Sequence, residues 1–168
     1  ADTWSLCFDR NVIGHVADYI MFMAYDQYGS TSSKPGTTAG YNWVETNLKK
    51  FIDTEEIDSE KIILGIPLYT RMWADRNGKI TSKVVDMNEI EETLPENIEK
   101  KWDDTLKQYY VEYTDDEKTE RKMWIEDEKS ISEKLSLISQ YNLGGVASWE
   151  KDRETENIWK IIKENLNK

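Results

Sequence analysis

The sequence predicts an α/β fold built on a parallel sheet. Three apolar segments indicate strands buried on both faces of the sheet, and each ends abruptly on polar or aromatic residues: Tyr19–Tyr25, Ile62–Leu68 and Gly144–Ser148. Helical patterns lie between these segments, and strands that alternate with helices at this spacing are typical of βαβ units. Because α/β folds bind ligands at the carboxyl ends of such strands, functional residues are expected directly after each one.

The first predicted element is a short helix from Arg10 to Ala17, and the strand Tyr19–Tyr25 follows it. Before this helix, Ala1 to Phe8 carry no clear strand pattern and are expected to form a loop. An α/β domain normally opens with a strand, so this start suggests a piece of a larger protein. The strand is followed at once by Asp26, which makes this carboxylate the first candidate functional residue.

The second helix has an apolar stripe at helical spacing, formed by Val44, Leu48, Phe51 and Ile52. Asn42 and Glu45, three residues apart, predict a capping pair at its start. The helix leads into the strand Ile62–Leu68, a continuous apolar run that indicates burial on both faces. Tyr69 and Arg71 come directly after this strand and are the next candidates.

Residues 75–127 depart from this alternation. Asn77-Gly78 is a strong turn signal, and Met87–Leu94 predicts a short helix. The segments Gln108–Tyr113 and Lys122–Glu126 predict two strands of a hairpin, joined across a charged run. The sequence therefore predicts a small α+β insertion, which forms either a wall of the binding cleft or only a stabilising cap. The remainder of the chain forms the α/β part, at residues 1–74 and 128–168.

The last third returns to the α/β pattern. Ser130 and Glu133 predict a second capping pair. The helix that they open carries apolar residues on one face, namely Ile131, Leu135, Ile138 and Tyr141. The strand Gly144–Ser148 follows and is succeeded by Trp149, and a final helix is predicted from about Thr155.

Composition narrows the function classes. The chain has 168 residues, enough for one sizeable core, and its formal net charge is −11. That charge argues against a nucleic-acid partner, because phosphate backbones are bound by clustered Lys and Arg. No apolar run approaches the roughly 18 residues needed to span a membrane. Seven Trp and nine Tyr favour either ordinary packing or a sugar site, since flat aromatic faces complement the apolar faces of pyranose rings.

The sequence lacks the residues and motifs that most cofactor-dependent enzymes require. Cys7 is the single cysteine and His15 the single histidine, so an intrachain disulfide and a histidine- or thiolate-based zinc site are excluded. No G-x-S-x-G elbow, phosphate-binding loop or G-x-G-x-x-G motif occurs. The sequence therefore predicts neither a metal nor a cofactor, and His15 is expected to be a packing or surface residue.

The three strand ends together resemble glycoside hydrolase family 18, the chitinase-like TIM barrels. Met23-Ala-Tyr25-Asp26 resembles the M-x-Y-D motif of the sixth barrel strand, and the segment Ile63–Arg71 resembles L-G-[IV]-P-x-Y-x-R on the seventh. Gly145-Val-Ala-Ser-Trp149 resembles the eighth strand, and Trp124–Asp127 resembles the end of the family's α+β insertion. The nearest likeness is to the bacterial spore-associated and LysM-linked branch, which acts on peptidoglycan. The resemblance implies a partial (β/α)8 barrel, strands six to eight with their helices, carrying the insertion.

This resemblance also implies a chemistry. Family members hydrolyse β-1,4-linked N-acetylated amino sugars with retention, and the substrate's own acetamide oxygen attacks the anomeric carbon. Tyr25 is then expected to hydrogen-bond the acetamide, and Asp26 to bind the sugar and organise the catalytic acid. Both are predicted catalytic residues. The predicted substrate-binding residues are Met23, Tyr69, Arg71 and Trp149. The implied partner is a polysaccharide containing N-acetylglucosamine, and the implied location is extracellular, in the cell envelope or on the spore.

One family feature is missing. The catalytic acid of the family is the glutamate of D-x-x-D-x-D-x-E on the fourth strand, and no such motif occurs in this sequence. The parent protein is therefore expected to be a hydrolase and this chain alone to be inactive. An acid and nucleophile pair of Asp26 and Glu150 is an alternative; otherwise Glu150 forms a salt bridge or begins a charged loop.

Other function classes stay open. A non-catalytic carbohydrate-binding protein on the same scaffold also fits the missing acid, and so does a small α/β domain with a structural or interaction role. Part of a barrel would also expose two sheet edges, which closure of a complete barrel removes. Self-association through those edges is therefore expected.

Overall fold

The computed structural model describes residues 8–166. The expected loop at the start lies outside the described residues apart from Phe8, and so does Cys7. The helices are α1 (Arg10–Val16), α2 (Tyr41–Lys49), α3 (Ile90–Thr93), α4 (Glu128–Gln140) and α5 (Ile158–Leu166). A π-helical turn, Lys50–Thr54, extends α2, and short 3-10 turns span Ser59–Lys61 and Met87–Glu89. The strands are β1 (Ile20–Met23), β2 (Ile62–Pro67), β3 (Tyr69–Arg76), β4 (Lys79–Asp86), β5 (Lys101–Asp103), β6 (Gln108–Thr114), β7 (Glu120–Ile125) and β8 (Gly145–Trp149).

The three predicted buried strands form one parallel sheet in the order β1-β2-β8. Met23 of β1 lies opposite Gly65 of β2, and Pro67 of β2 lies opposite Trp149 of β8. Since all three strands run the same way, their carboxyl ends meet at one edge of the sheet. The expected α/β architecture is present; β1 is three residues shorter than its apolar run, β2 is one residue shorter, and β8 is shifted by one residue.

One face of this sheet packs against the helices and forms the main core. Alternate side chains point to opposite faces of a strand, so Phe22 and Ala24 are buried while Met21 and Met23 are exposed. The core residues contributed by the sheet and helices include Ile62, Leu64, Ile66, Val44, Leu48, Ile131, Leu135 and Ile158. The other face of the sheet is therefore open at β1, where two methionines lie at the surface, so the predicted burial of this strand on both faces is wrong.

The remaining strands form a five-stranded antiparallel sheet in the order β4-β3-β7-β6-β5. It has a separate core, composed of Met72, Val85, Ile90, Leu94, Val111, Met123 and Ile125. Its first strand begins at Tyr69, ahead of residue 75, so Tyr69 and Arg71 lie on an antiparallel strand instead of on the loop after β2. Leu68 marks the change of direction, and its N–H donates to the Trp149 carbonyl at 2.7 Å.

Both predicted helix caps are wrong. Helix α2 begins after Gly40, and Asn42 inside its first turn accepts from the adjacent Trp43 N–H at 2.8 Å. Helix α4 begins after Asp127, whose side chain and that of Ser130 form a reciprocal capping box. Ser130 thus takes the third helical position instead of the cap, because the aspartate three residues earlier accepts its backbone N–H at 2.8 Å.

Candidate active site

Asp26 lies just beyond the carboxyl end of β1, where the chain turns sharply. Its φ of +56° places it in the left-handed region, which aspartate adopts more readily than most residues. After this turn the chain runs beside a later part of the same β1–α2 loop, where the Gln27 N–H donates to the Thr38 carbonyl at 2.9 Å. The carboxylate is left about half exposed, with 52% of its side chain accessible.

Two side chains from β3 converge on this carboxylate. Tyr69 and Arg71 are two residues apart on the strand and therefore share a face. The Tyr69 hydroxyl donates to Asp26 Oδ1 at 2.8 Å, and Arg71 Nη2 lies 3.5 Å from the same oxygen. Since Arg71 is almost fully buried, it supplies a fixed positive charge beside Asp26. The two bonds hold the carboxylate in one orientation.

Burial and negative charge raise the pKa of both tyrosines of the site. The pKa of Tyr69 is raised well above its ordinary value, first by burial and then by its hydrogen bond to Asp26. The pKa of Tyr25 is raised by burial and, to a smaller extent, by the negative charge of Asp26. A phenol with a raised pKa stays neutral at physiological pH and acts as a hydrogen-bond donor.

Trp149 completes the site from the end of β8. Its side chain is exposed, with 54% of the residue accessible. A cleft of about 170 Å³ is lined by Asp26, Tyr69, Arg71, Val84, Trp149 and Arg153. Four of the six residues predicted from the sequence therefore lie around one cleft, although they come from three different strands and two sheets.

Met23 and Tyr25 are not among the residues lining this cleft. Met23 is exposed on the open face of the parallel sheet. The Tyr25 ring lies beside Gly65, where an added Cβ would sit 3.3 Å from its Cε1. Tyr25 thus lies on the open face of the sheet next to the cleft. Its ring fits there because Gly65 has no side chain.

The lining also contains residues that sequence reasoning missed. Val84 lies on β4 directly opposite Arg71. Arg153 donates to Glu150 Oε1 from Nε at 2.9 Å and from Nη2 at 2.6 Å, and its Nη1 contacts Asp86. Glu150 is therefore held in a salt bridge, as one of the two sequence interpretations expected. The charged run around Arg153 gave no sign of its partners, because Asp86 lies far away in the sequence.

One buried donor at the cleft has no partner. Among residues 8–166, the Nε of Arg71 is buried and makes no hydrogen bond. Leaving such a group unsatisfied costs about 1–3 kcal/mol. The cleft itself combines a carboxylate acceptor with an exposed indole.

Residues 8–166 contain no group of three or more His, Cys, Asp or Glu side chains arranged to hold a metal ion. No helix in the described part of the chain combines the length and the apolar character needed to cross a bilayer.

Comparison with known proteins places this geometry in a family. The sequence pattern of glycosyl hydrolases family 18 matches residues 2–154. The chain belongs to this family. The resemblance inferred from the three strand ends is thereby confirmed.

Relatives of the chain include two proteins of Bacillus subtilis. The chain is 31% identical over 163 residues to the uncharacterized glycosylase YvbX of Bacillus subtilis, covering 96% of the chain and 46% of that protein. It is 24% identical to the cortical fragment-lytic enzyme of Bacillus subtilis, covering 98% of the chain and 38% of the relative. The chain thus spans less than half the length of these two relatives.

Solved family 18 structures confirm the α/β fold. The chitinase of Chromobacterium violaceum superimposes with a TM-score of 0.86 at 25% identity, covering 96% of this chain and 49% of the chitinase. The spore cortex-lytic enzyme SleL of Bacillus megaterium gives a TM-score of 0.82 at 25% identity, covering 98% of this chain and 38% of SleL.

Proposed function

We propose that this chain is the C-terminal half of a family 18 glycosidase that cleaves β-1,4-linked N-acetylated amino sugars by substrate-assisted, retaining hydrolysis. The observation that carries the proposal is the convergence of Asp26, Tyr69, Arg71 and Trp149 on one cleft at the carboxyl ends of parallel strands. Family membership supplies the reaction class.

Each residue has a role in this proposal. The acetamide oxygen of the substrate attacks its own anomeric carbon, and the glycosidic bond breaks as an oxazolinium ion forms. Tyr25, kept protonated by its raised pKa, donates a hydrogen bond that holds the acetamide in attacking geometry. Asp26, oriented by Tyr69 and Arg71, binds sugar hydroxyls and organises the catalytic acid. Trp149 stacks under the ring, and Met23 contacts the substrate from the open face of the sheet.

The catalytic acid comes from outside these 168 residues. The D-x-x-D-x-D-x-E motif does not occur in the chain, so the chain alone is expected to be inactive. In this proposal β1, β2 and β8 are strands six to eight of a (β/α)8 barrel, formed by residues 1–74 and 128–168. Residues 75–127 form the α+β insertion, to which Tyr69–Arg76 contributes the first strand of the five-stranded sheet.

The substrate class is chitin or peptidoglycan. Both contain β-1,4-linked sugars with the acetamide that the mechanism requires. Relatives named as cortical fragment-lytic enzyme, spore cortex-lytic enzyme and chitinase support this range. An extracellular, cell-envelope or spore location is proposed accordingly, and no nucleic-acid partner is expected from a chain of net charge −11.

The open sheet supports self-association of the isolated chain. Within residues 8–166, β1 and β8 each pair with β2 alone and leave one edge unpaired. Met21, Met23 and Trp149 are exposed at these two strands. Unpaired strand edges beside exposed apolar side chains favour pairing with another copy.

The stereochemistry of hydrolysis tests this proposal. A longer protein that contains this chain is incubated with chitohexaose, and proton NMR follows the first reducing ends that form. The proposal predicts the β anomer, because attack by the acetamide and then by water inverts the anomeric carbon twice. Initial formation of the α anomer would contradict the mechanism.

A non-catalytic carbohydrate-binding protein is the second candidate, favoured by the missing acid motif. It predicts binding of chitohexaose without any release of reducing ends. The same incubation therefore separates the two functions.

A further inference from the structure

We infer that Glu126 is a positioning residue, which fixes the two segments that carry Asp26 and the pair Tyr69 and Arg71. The inference rests on the proposed function for its catalytic consequences, but its structural part concerns this chain alone. Glu126 follows β7 and does not line the cleft. It acts on the site only through other residues.

Glu126 is one half of a fully buried ion pair. Its side chain and that of Lys134 on α4 are both 0% exposed, and Lys134 Nζ lies 2.8 Å from Glu126 Oε2. Ser130 Oγ donates to the same oxygen at 2.9 Å. Burial raises the pKa of Glu126, and the positive charge of Lys134 opposes that effect. A buried ion pair of this kind is weak evidence for stability, because desolvation offsets the attraction. Its contacts therefore call for another explanation.

The first contact leads to the Asp26 loop. The other carboxylate oxygen, Oε1, accepts from Gln108 Nε2 at 2.6 Å, and Gln108 Oε1 accepts from the Thr37 hydroxyl at 2.5 Å. Thr37 belongs to the segment whose carbonyl groups accept hydrogen bonds from the residues after Asp26. Its carbonyl accepts from Tyr28 N–H at 3.3 Å, as the Thr38 carbonyl does from Gln27 N–H at 2.9 Å. The carboxylate of Glu126 thus reaches the Asp26 turn through two buried hydrogen bonds.

The second contact leads to β3. The backbone N–H of Glu126 donates to Thr70 Oγ1 at 2.8 Å, and Thr70 is 0% exposed. Thr70 stands between Tyr69 and Arg71 in the strand and points to the opposite face. Fixing Thr70 therefore fixes the strand position from which both side chains reach Asp26. Glu126 anchors both partners of the Asp26–Tyr69 hydrogen bond.

Two isosteric variants cut these links separately. Thr37→Val removes the hydroxyl that reaches Gln108, and Thr70→Val removes the acceptor for Glu126 N–H. The double variant Glu126→Leu with Lys134→Met removes the ion pair and the Gln108 link together, and it leaves no unpaired buried charge. Tyr141→Phe is the matched control, because it deletes a 2.7 Å hydrogen bond to Glu45 at the opposite end of α4.

The readout is the hydroxyl proton of Tyr69, whose exchange with water is followed by NMR at neutral pH. The hydrogen bond to Asp26 Oδ1 protects this proton, so loosening that bond speeds the exchange. Thr37→Val, Thr70→Val and the double variant are each expected to speed the exchange about tenfold. Asp26→Ala is the positive control, and Tyr141→Phe is expected to exchange like the wild type.

In the longer protein, the same three variants are expected to lower kcat roughly 10- to 100-fold with little change in KM, since misplacement of catalytic groups costs rate. Wild-type exchange of the Tyr69 hydroxyl proton in all three variants would overturn the inference, whatever the protein hydrolyses. An equal response of Tyr141→Phe would overturn it as well, because the effect would then reflect loss of stability alone. Failure of the wild-type protein to hydrolyse amino sugars would instead count against the proposed function.

Discussion

Replacing Gly65 by alanine tests the packing of β1 on β2 and the position of Tyr25 at the same time. An added Cβ at this residue would lie 2.8 Å from the Phe22 carbonyl oxygen, 3.2 Å from Met23 Cα and 3.3 Å from Tyr25 Cε1. The first two atoms belong to the backbone of a paired strand, so no side chain can simply rotate away. Strand β1 must therefore separate from β2, and the Tyr25 ring must move with it.

The expected loss of stability follows from the overlap between the added methyl group and the backbone of β1. Favourable carbon contacts lie at about 3.5–4.0 Å, so the backbone must shift by roughly 0.5–1 Å. Inserting one methyl group into well-packed structure typically costs about 1–3 kcal/mol. For a chain of this size, each kcal/mol lowers Tm by about 2–4 °C, so Gly65→Ala is expected to lower Tm by roughly 2–12 °C.

Urea denaturation followed by tryptophan fluorescence measures this loss. Gly29→Ala is the matched control, because an added Cβ at that position meets nothing within 4 Å. It is expected to change the free energy of unfolding by less than about 1 kcal/mol. If Gly65→Ala were as stable as Gly29→Ala, the described register of β1 against β2 would be wrong.

Three further substitutions probe the site, and one measurement on the unaltered chain probes the open sheet. In the longer protein, Asp26→Asn is expected to lower kcat roughly 100-fold or more, because the organised carboxylate is lost, and steady-state hydrolysis measures it. Tyr25→Phe removes one hydrogen bond to the acetamide and is expected to lower kcat about tenfold; unchanged rates in both variants would remove these residues from the mechanism. Trp149→Ala should raise the Kd for chitohexaose about 5- to 30-fold, because the lost stacking contact is worth about 1–2 kcal/mol of binding free energy. An unchanged Kd in calorimetry would contradict the proposed subsite. Sedimentation velocity of the 168-residue chain is expected to show species larger than a monomer; a single monomeric boundary would argue against exposed-edge pairing.

The parallel sheet was predictable because continuous apolar runs leave a strong local signal, although only β2 of its three strands is buried on both faces. Apolar runs such as Ile62–Leu68 indicate buried strands, and parallel strands bring their ends to one edge. Asp26 and Trp149 follow such strands directly, and both reach the cleft. These predictions required no knowledge of which residues pair.

The structure departs from prediction where distant segments meet. The residues Tyr69 and Arg71 do not show by themselves that they begin an antiparallel strand, because that depends on pairing with β4 and β7. Tyr69 pairs with Asp86, 17 positions away, and Trp73 of the same strand pairs with Lys122, 49 positions away. Charged residues are usually exposed, so sequence pattern alone places Glu126 and Lys134 at the surface. Their complete burial results from tertiary contacts between the second sheet and α4.

The wrong cap prediction for α4 has a different cause. The motif of a hydroxyl residue followed by glutamate three positions later occurs at Ser130, yet Asp127 lies one turn earlier and accepts the Ser130 N–H. Asp127 and Ser130 are both suitable cap residues by type, and the earlier one takes the cap position. Helix boundaries are settled by such competition within a single turn.

The acetyl group of the substrate provides the most direct test of the central claim, which is that the sugar's own acetamide acts as the nucleophile in this cleft. Initial hydrolysis rates of chitohexaose and of its fully de-N-acetylated counterpart are compared in the longer protein under identical conditions. The account predicts rapid release of reducing ends from the acetylated oligosaccharide and none from the free amine, because the amine has no carbonyl oxygen to attack the anomeric carbon. Comparable rates for the two oligosaccharides would contradict it.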